Sequence, residues 1–151
     1  PVSGDKPPVI VPKTFVPNIQ SHMLVDRDAV MARIGRSDIV LLDSREPRRY
    51  LGLEEPIDKR AGHIPGAVNA YWKDSLSSDG KWKSAEAQRD RFKQLQIDPD
   101  KEIIVSCGSG VTACPNVLAL KQAGYRNVKL YAGSWSDWIS YDDSPIATGE
   151  E

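Results

Sequence analysis

The 151-residue sequence has few of the residues on which several classes of protein depend. Two cysteines and two histidines are too few for a disulfide framework, and their positions give no metal-ligand spacing. Lysine and arginine number 20 against 21 acidic residues, so no overall basic field favours nucleic acid or a membrane surface. No apolar run approaches the length of a transmembrane span. We expect one domain that needs no metal and no cofactor, in a reducing compartment such as the cytoplasm.

Proline is concentrated at the start of the chain. Residues 1–20 hold five of the eleven prolines, which excludes a helix there and predicts an extended arm. We place a linker or arm at residues 1–22 and a catalytic domain at 23–151. An interdomain linker of a longer protein and a ragged N-terminus both fit this pattern.

From residue 24 onward, apolar runs of strand length alternate with helical patterns. Asp26 and Ser84 are expected to cap two of the helices. Strands are predicted at 39–42, 67–69, 103–105 and 128–131, and helices at 26–34, 45–50, 84–95, 112–123 and 135–141. This alternation predicts an α/β fold with a mostly parallel sheet and helices on both faces. Ligand sites in such sheets lie at the carboxyl ends of strands, where Asp43 and Cys107 fall.

Residues 107–113 combine a cysteine with a loop of small residues between a strand and a helix. Backbone N–H groups and the positive end of the helix would favour a reactive thiolate at Cys107. Ser109 would be a hydroxyl partner within the loop. The N–H donors would come from Gly108, Ser109, Gly110, Val111 and Thr112. A buried core cysteine is the alternative, but two glycines in the loop favour close backbone approach to a ligand.

The loop contains no cation, which argues against phosphatase chemistry. Ala113 stands six residues after Cys107, where a phosphatase loop has its phosphate-binding arginine. A cationic set follows the first predicted strand and could hold a small anionic substrate: Arg45, Arg48, Arg49, Lys59 and Arg60. Asp43 and Arg45 are expected to form a structural pair. His63 is more simply a hydrogen-bonded structural residue than a general base.

Five segments together resemble the rhodanese-like sulfurtransferases over about residues 24–150. They are 41–45, 49–52, 62–69, the Cys107 loop and 131–135. The resemblance implies a central five-stranded, mostly parallel sheet with helices on both faces. The chain is similar to the second, catalytic domain of tandem two-domain members. We therefore expect an N-terminal rhodanese-like domain as a partner that is missing from this chain.

The resemblance also implies the chemistry. The uncharged loop is similar to that of members acting on 3-mercaptopyruvate, whereas thiosulfate-preferring members carry basic residues at Gly108 and Ser109. Cys107 would become a persulfide and pass its outer sulfur to cyanide or to a thiol such as thioredoxin or a low-molecular-weight thiol. Arg49 matches the family's carboxylate-binding arginine, and Arg60, or else Lys59, is the candidate for a second one.

Two other functions remain open at this point. One is a thiosulfate sulfurtransferase of the same fold, and the other is a persulfide-carrying or docking module without turnover. Cys114, in the first turn of the helix after the loop, is expected to be buried and dispensable for catalysis.

Overall fold

The computed structural model describes residue 4, residue 6 and residues 11–150. Within the predicted arm, residues 11–20 are exposed and form neither helix nor strand. The prolines at positions 1, 7 and 8, on which the arm prediction also depends, lie outside the described residues. A short 3₁₀ helix, Ser21–Met23, leads into the first strand.

The described chain forms five strands and five α-helices, which alternate along the sequence. The strands are β1 (Leu24–Val25), β2 (Ile39–Asp43), β3 (Ala67–Asn69), β4 (Glu102–Ser106) and β5 (Val128–Tyr131). The helices are α1 (Arg27–Met31), α2 (Pro47–Tyr50), α3 (Ala85–Gln94), α4 (Ala113–Gln122) and α5 (Ser134–Trp138). A second 3₁₀ helix, Trp72–Ser75, follows β3.

All pairings in the sheet are parallel, in the order β1-β5-β4-β2-β3. This confirms the predicted five-stranded α/β fold. The strand β1 was not predicted, because the residues Leu24 and Val25 form too short a run to give a pattern. The helix α1 is shorter than expected, although Asp26 caps it by accepting the N–H of Ala29 at 2.9 Å. Ser84 caps α3 in the same way.

The central strands are buried on both faces. Because alternate side chains point to opposite sides of a strand, each of these strands contributes to two separate clusters. On one face, Leu42 and Val105 pack with Phe92 of α3 and Leu120 of α4. On the other face, the cluster is formed by Val30, Leu41, Tyr50, Ile104, Tyr131, Trp135 and Trp138. Burial of such side chains contributes roughly 1.5–3 kcal/mol each, so the two clusters provide the main stabilisation of the sheet.

The strand order reverses direction between β2 and β4. The chain moves from β2 to its neighbour β3 on one side, and from β4 to β5 on the other. A crevice forms where strand order reverses in such a sheet, at the carboxyl ends of the two strands. Asp43 at the end of β2 lies directly opposite Ser106 at the end of β4, so Cys107 follows at the head of this crevice.

Candidate active site

Cys107 lies where β4 ends, and it is almost completely buried. Its residue exposure is 1%. Its backbone N–H donates to Ser134 Oγ at 3.0 Å, and its carbonyl accepts the N–H of Trp135 at 3.0 Å. Ser134 Oγ is also 4.0 Å from Cys107 Sγ, a long contact. The turn between β5 and α5 therefore fixes the cysteine on both sides of its backbone.

The loop after Cys107 leaves its backbone donors available. Among the described residues, no hydrogen-bond acceptor is found for the N–H groups of residues 108–112. The helix α4 begins directly afterwards at Ala113, with its positive end toward the loop. Among the described residues, these N–H groups make no hydrogen bond with Cys107 Sγ. Their expected convergence on the sulfur therefore stays a prediction. An added anionic atom could still be held by them.

Gly110 is a position where a side chain does not fit. Its φ is +82°, and a Cβ atom there would lie 2.3 Å from the carbonyl oxygen of Ala132. The loop is therefore pressed against the chain that follows β5. This explains one of the two glycines that the sequence pattern singled out.

Arg49, which the resemblance named as the carboxylate-binding arginine, lies beside the loop. Its Nη1 would be 3.6 Å from a Cβ atom at Gly108. A cavity of about 170 Å³ is lined by Arg49, Ile57, Asp58, Gly108, Ser109, Val111, Thr112 and Ser136. Ser109 is exposed at this cavity and makes no side-chain hydrogen bond with the described residues. Arg49 thus shares one small mouth with four of the predicted loop residues, whereas Cys107 and Gly110 do not line it.

Arg60 does not line this cavity. Its exposed side chain, like that of Lys59, borders an adjacent cavity of about 500 Å³. Ile57 and Asp58 line both cavities, so they stand beside the loop where a second arginine was expected. The carbonyl of Arg60 accepts the indole N–H of Trp135 at 2.8 Å, which fixes the backbone there and directs no cation to the loop.

Two carboxylates engage Arg49. Its Nη2 donates to Glu55 Oε1 at 2.6 Å and lies 3.3 Å from Asp58 Oδ2. Glu55 also accepts the backbone N–H groups of Ile57 and Asp58, each at 3.1 Å. Burial acts to raise the pKa of Glu55, but these hydrogen bonds outweigh it and hold the pKa below its ordinary value. The arginine is thus oriented by anions before any substrate arrives.

Asp43 and Arg45 form the expected structural pair. Both residues are 2% exposed, and Arg45 Nε lies 3.0 Å from Asp43 Oδ2. The guanidinium of Arg45 also donates to the carbonyl of Gly62 and lies 4.7 Å from the centroid of the Trp135 ring. Because its donors are used in this way, Arg45 has a structural role at the site.

His63 is buried behind the site. Its Nδ1 is 2.8 Å from the carbonyl oxygen of Tyr50, and its ring stacks on the Tyr50 ring at 3.9 Å. His63 does not line the cavity beside the loop, which fits a structural role. Arg48, by contrast, is exposed on α2 and pairs with Glu54.

A polar network joins α3 and α4 to the end of β2. Arg91 donates to Ser75 Oγ and Asn116 Oδ1, each at 3.0 Å. Asn116 Nδ2 in turn donates to Ser44 Oγ at 2.8 Å, at the end of β2. Burial lowers the pKa of Arg91. The sequence offered no periodic signal for this network, since its members come from four separate segments.

Cys114 is exposed, and the prediction that it is buried is wrong. The residues of α4 that face the core are Ala113, Asn116, Ala119 and Leu120, and Cys114 lies outside that stripe. Its thiol donates to the carbonyl of Gly110 at 3.3 Å.

Three residues that contact the site were not predicted from the sequence, namely Ser134, Ser136 and Asp58. Ser136 donates its N–H to the Gly108 carbonyl at 2.9 Å, and its Oγ lies 2.7 Å from Asp58 Oδ1. Ser134 has a φ of +54°. The serine that follows Gly133 at the end of β5 was the available signal, because an unusual turn at a strand end often serves a site.

The fold and the site together define the class of protein. A family model described as "Rhodanese-like domain" matches residues 26–141, and the chain belongs to the rhodanese-like family. Within the described residues no cluster of potential metal ligands occurs, and no helix is long and apolar enough to cross a membrane.

Two individual relatives and one solved structure are similar to the chain. Over 140 residues the chain is 44% identical to a probable 3-mercaptopyruvate sulfurtransferase of Pseudomonas aeruginosa, covering 92% of this chain and 49% of the relative. It is 36% identical over 129 residues to a thiosulfate sulfurtransferase of Azotobacter vinelandii, covering 85% and 47%. The crystal structure of the Tum1 protein of Saccharomyces cerevisiae superposes with a TM-score of 0.78 and 28% identity, covering 87% and 48%. The chain spans about half the length of these relatives.

Proposed function

We propose that the chain is a sulfurtransferase domain that moves a sulfane sulfur from 3-mercaptopyruvate to a thiol or to cyanide through a persulfide on Cys107. The observation that carries the proposal is a buried cysteine followed by five backbone N–H groups without a described acceptor. The uncharged loop and the 44% identity to a probable 3-mercaptopyruvate sulfurtransferase support the choice of donor.

In the first step, the Cys107 thiolate attacks the sulfur of 3-mercaptopyruvate. A sulfur–sulfur bond forms and the carbon–sulfur bond breaks, so the electron pair passes to carbon, which takes a proton and yields pyruvate. The transferred sulfur extends beyond Sγ into the loop, where the N–H groups and the positive end of α4 stabilise its negative charge. Arg49 holds the donor carboxylate, and exposed Ser109 polarises the donor at the mouth.

In the second step, an acceptor takes the outer sulfur and restores the Cys107 thiolate. A thiolate yields a new persulfide, and cyanide yields thiocyanate. We infer that a small thiol or the exposed thiol of a protein such as thioredoxin serves as acceptor, because the cavity of about 170 Å³ has no room for a bulky group. Both cysteines are free thiols, which suits a reducing compartment such as the cytoplasm.

We also propose that an N-terminal rhodanese-like domain completes the mouth of the site. Ile57 and Val111 line the cavity and are 75% and 71% exposed, an apolar surface that a second domain would cover. Residues 11–19 add four exposed apolar side chains, Val11, Phe15, Val16 and Ile19. The length of the relatives supports the same partner.

The test is intact-mass measurement after mixing the chain with 3-mercaptopyruvate. We expect the mass of one added sulfur atom together with one equivalent of pyruvate. The Cys107→Ser variant should gain no sulfur, and the matched Cys114→Ser variant should gain it normally. Absence of the adduct, even in a protein that also carries a second rhodanese-like domain, would contradict the proposal.

A thiosulfate sulfurtransferase is the second candidate, favoured by the 36% identity to the enzyme of Azotobacter vinelandii. The absence of cations from the loop predicts a handicap with this dianionic donor. The ratio of kcat/KM for the two donors decides between the candidates. A ratio in favour of thiosulfate would reverse our order.

A further inference from the structure

Asp58 is an anion placed at a mouth that has to admit anions. It lines the same cavity as Arg49 and the Cys107 loop, and 11% of its side chain is exposed. One of its oxygens accepts the Ser136 hydroxyl at 2.7 Å, and the other lies 3.3 Å from Arg49 Nη2. Ser136 in turn contacts the Gly108 carbonyl. The carboxylate is therefore fixed directly beside the loop that holds the reactive sulfur.

The charge of the ion-pair cluster around Asp58 is not balanced in favour of anions, and the exposed cations Lys59 and Arg60 border the adjacent cavity, outside this cluster. Two guanidinium groups face three carboxylates among the described residues that form it: Asp43, Arg45, Arg49, Glu55 and Asp58. Glu55 is shared between the two arginines. The cluster therefore carries one negative charge more than its cations neutralise. Asp58 is the carboxylate of this cluster that lines the cavity, so an incoming anion that binds Arg49 meets its charge.

We propose that Asp58 determines donor specificity by disfavouring dianionic sulfur donors relative to monoanionic ones. This inference rests on the proposed function, in that the mouth receives an anionic donor. Repulsion between fixed charges scales with the donor's charge, so a dianion such as thiosulfate is disfavoured twice as strongly as the monoanion 3-mercaptopyruvate. By the same scaling, the positive charge of Arg49 attracts the dianion more strongly than the monoanion, and the charge of Asp58 opposes that preference.

The size of the effect follows from the position of the carboxylate. A few ångströms from the donor, in a partly solvated mouth, one unit of donor charge changes affinity by about tenfold. Removing the charge of Asp58 should therefore strengthen binding of both kinds of anion, with about tenfold more gain for the dianion.

The experiment measures binding and turnover separately. Pyruvate, a monoanion, and sulfate, a dianion, are titrated into the wild-type chain and the Asp58→Asn variant by nuclear magnetic resonance. We expect the affinity for sulfate relative to pyruvate to rise about tenfold in the variant. The ratio of kcat/KM for thiosulfate and 3-mercaptopyruvate should shift in the same direction.

Two matched variants separate charge from structure. Asp38→Asn removes an equivalent charge from the Arg36 pair that precedes β2, at the opposite end of the sheet, and should leave the ratio unchanged. Ser136→Ala removes the hydrogen bond but keeps the charge, and it should also leave the ratio unchanged. Asp58→Ser serves as a second neutral variant if Asp58→Asn does not fold.

The outcomes are distinct. Equal gains for both anions, an unchanged ratio, or a Ser136→Ala shift as large as that of Asp58→Asn would overturn the inference, as would failure of either anion to bind. A shifted binding ratio without any persulfide on Cys107 would support the inference about Asp58 while removing the proposed function.

Discussion

Replacement of Ser134 by alanine tests how Cys107 is held. Ser134 is completely buried, and its Oγ accepts the N–H of Cys107 at 3.0 Å and donates to the carbonyl of Tyr131 at 2.8 Å. The alanine variant keeps the fold of the turn but loses both hydrogen bonds. The Cys107 N–H then has no acceptor and is shielded from water.

The magnitude follows from these two contacts. An unsatisfied buried donor costs about 1–3 kcal/mol, and we expect Ser134→Ala to lower the free energy of unfolding by about 2–3 kcal/mol. Ser134→Gly is the matched control, because it loses the same hydroxyl but relieves the strain of a φ of +54°. That strain is worth about 1 kcal/mol, so the glycine variant should be the more stable of the two.

Two measurements check this prediction. Urea unfolding followed by tryptophan fluorescence reports the free energy of unfolding, since Trp135 and Trp138 are buried beside the turn. Single-turnover mass measurement reports persulfide formation, which should slow about tenfold in both variants because the cysteine is less firmly positioned. If Ser134→Ala unfolds within about 0.5 kcal/mol of the wild type and forms the persulfide at the wild-type rate, the reasoning is refuted.

Three further predictions follow from neighbouring contacts. Gly110→Ala should destabilise the fold by about 2 kcal/mol or more and slow persulfide formation, because its Cβ would lie 2.3 Å from the Ala132 carbonyl oxygen at a φ of +82°; an unfolding midpoint in urea equal to that of the wild type would contradict this. Cys114→Ser should keep persulfide formation and lie within about 1 kcal/mol of the wild-type stability, since Cys114 is exposed; lost turnover in the folded variant would show otherwise. The hydrogen bonds from Arg49 and the backbone outweigh burial and keep the folded pKa of Glu55 below its unfolded value. The stabilisation by Glu55 is therefore present above about pH 4.5 and is lost as pH falls through the folded pKa, so acid unfolding curves of Glu55→Gln should show a weaker pH dependence there.

The sheet could be predicted because its long strands are continuous apolar runs. The runs in β2 and β4 are buried on both faces, and this burial leaves a direct record in the sequence. The strand β1 left no such record, because two residues define no period. The exposure of Cys114 was missed for a related reason, since the first turn of a helix does not reveal which side faces the core.

Apart from Arg49, which was named through the family resemblance, the site could be predicted only where its residues are neighbours in sequence. Cys107 and its loop form one strand–loop–helix segment, and the sequence shows that arrangement directly. Ser134 reaches Cys107 from 27 residues away, and Asp58 comes from the irregular segment after α2. Such contacts depend on how strands are ordered in the sheet, which no local pattern contains.

The electrostatics of the mouth explain how a loop without cations could serve an anionic reaction. The guanidinium of Arg49 is already engaged by two carboxylates, so its net attraction for a distant anion is small. Backbone N–H dipoles act over short distances and favour whichever charged atom sits against them. In the proposed reaction the persulfide would be covalently attached at that point, whereas a free dianion would first have to pass Asp58. The proposed arrangement therefore stabilises the charge that forms on the enzyme more than the charge that approaches it, which is the condition for accelerating the transfer step.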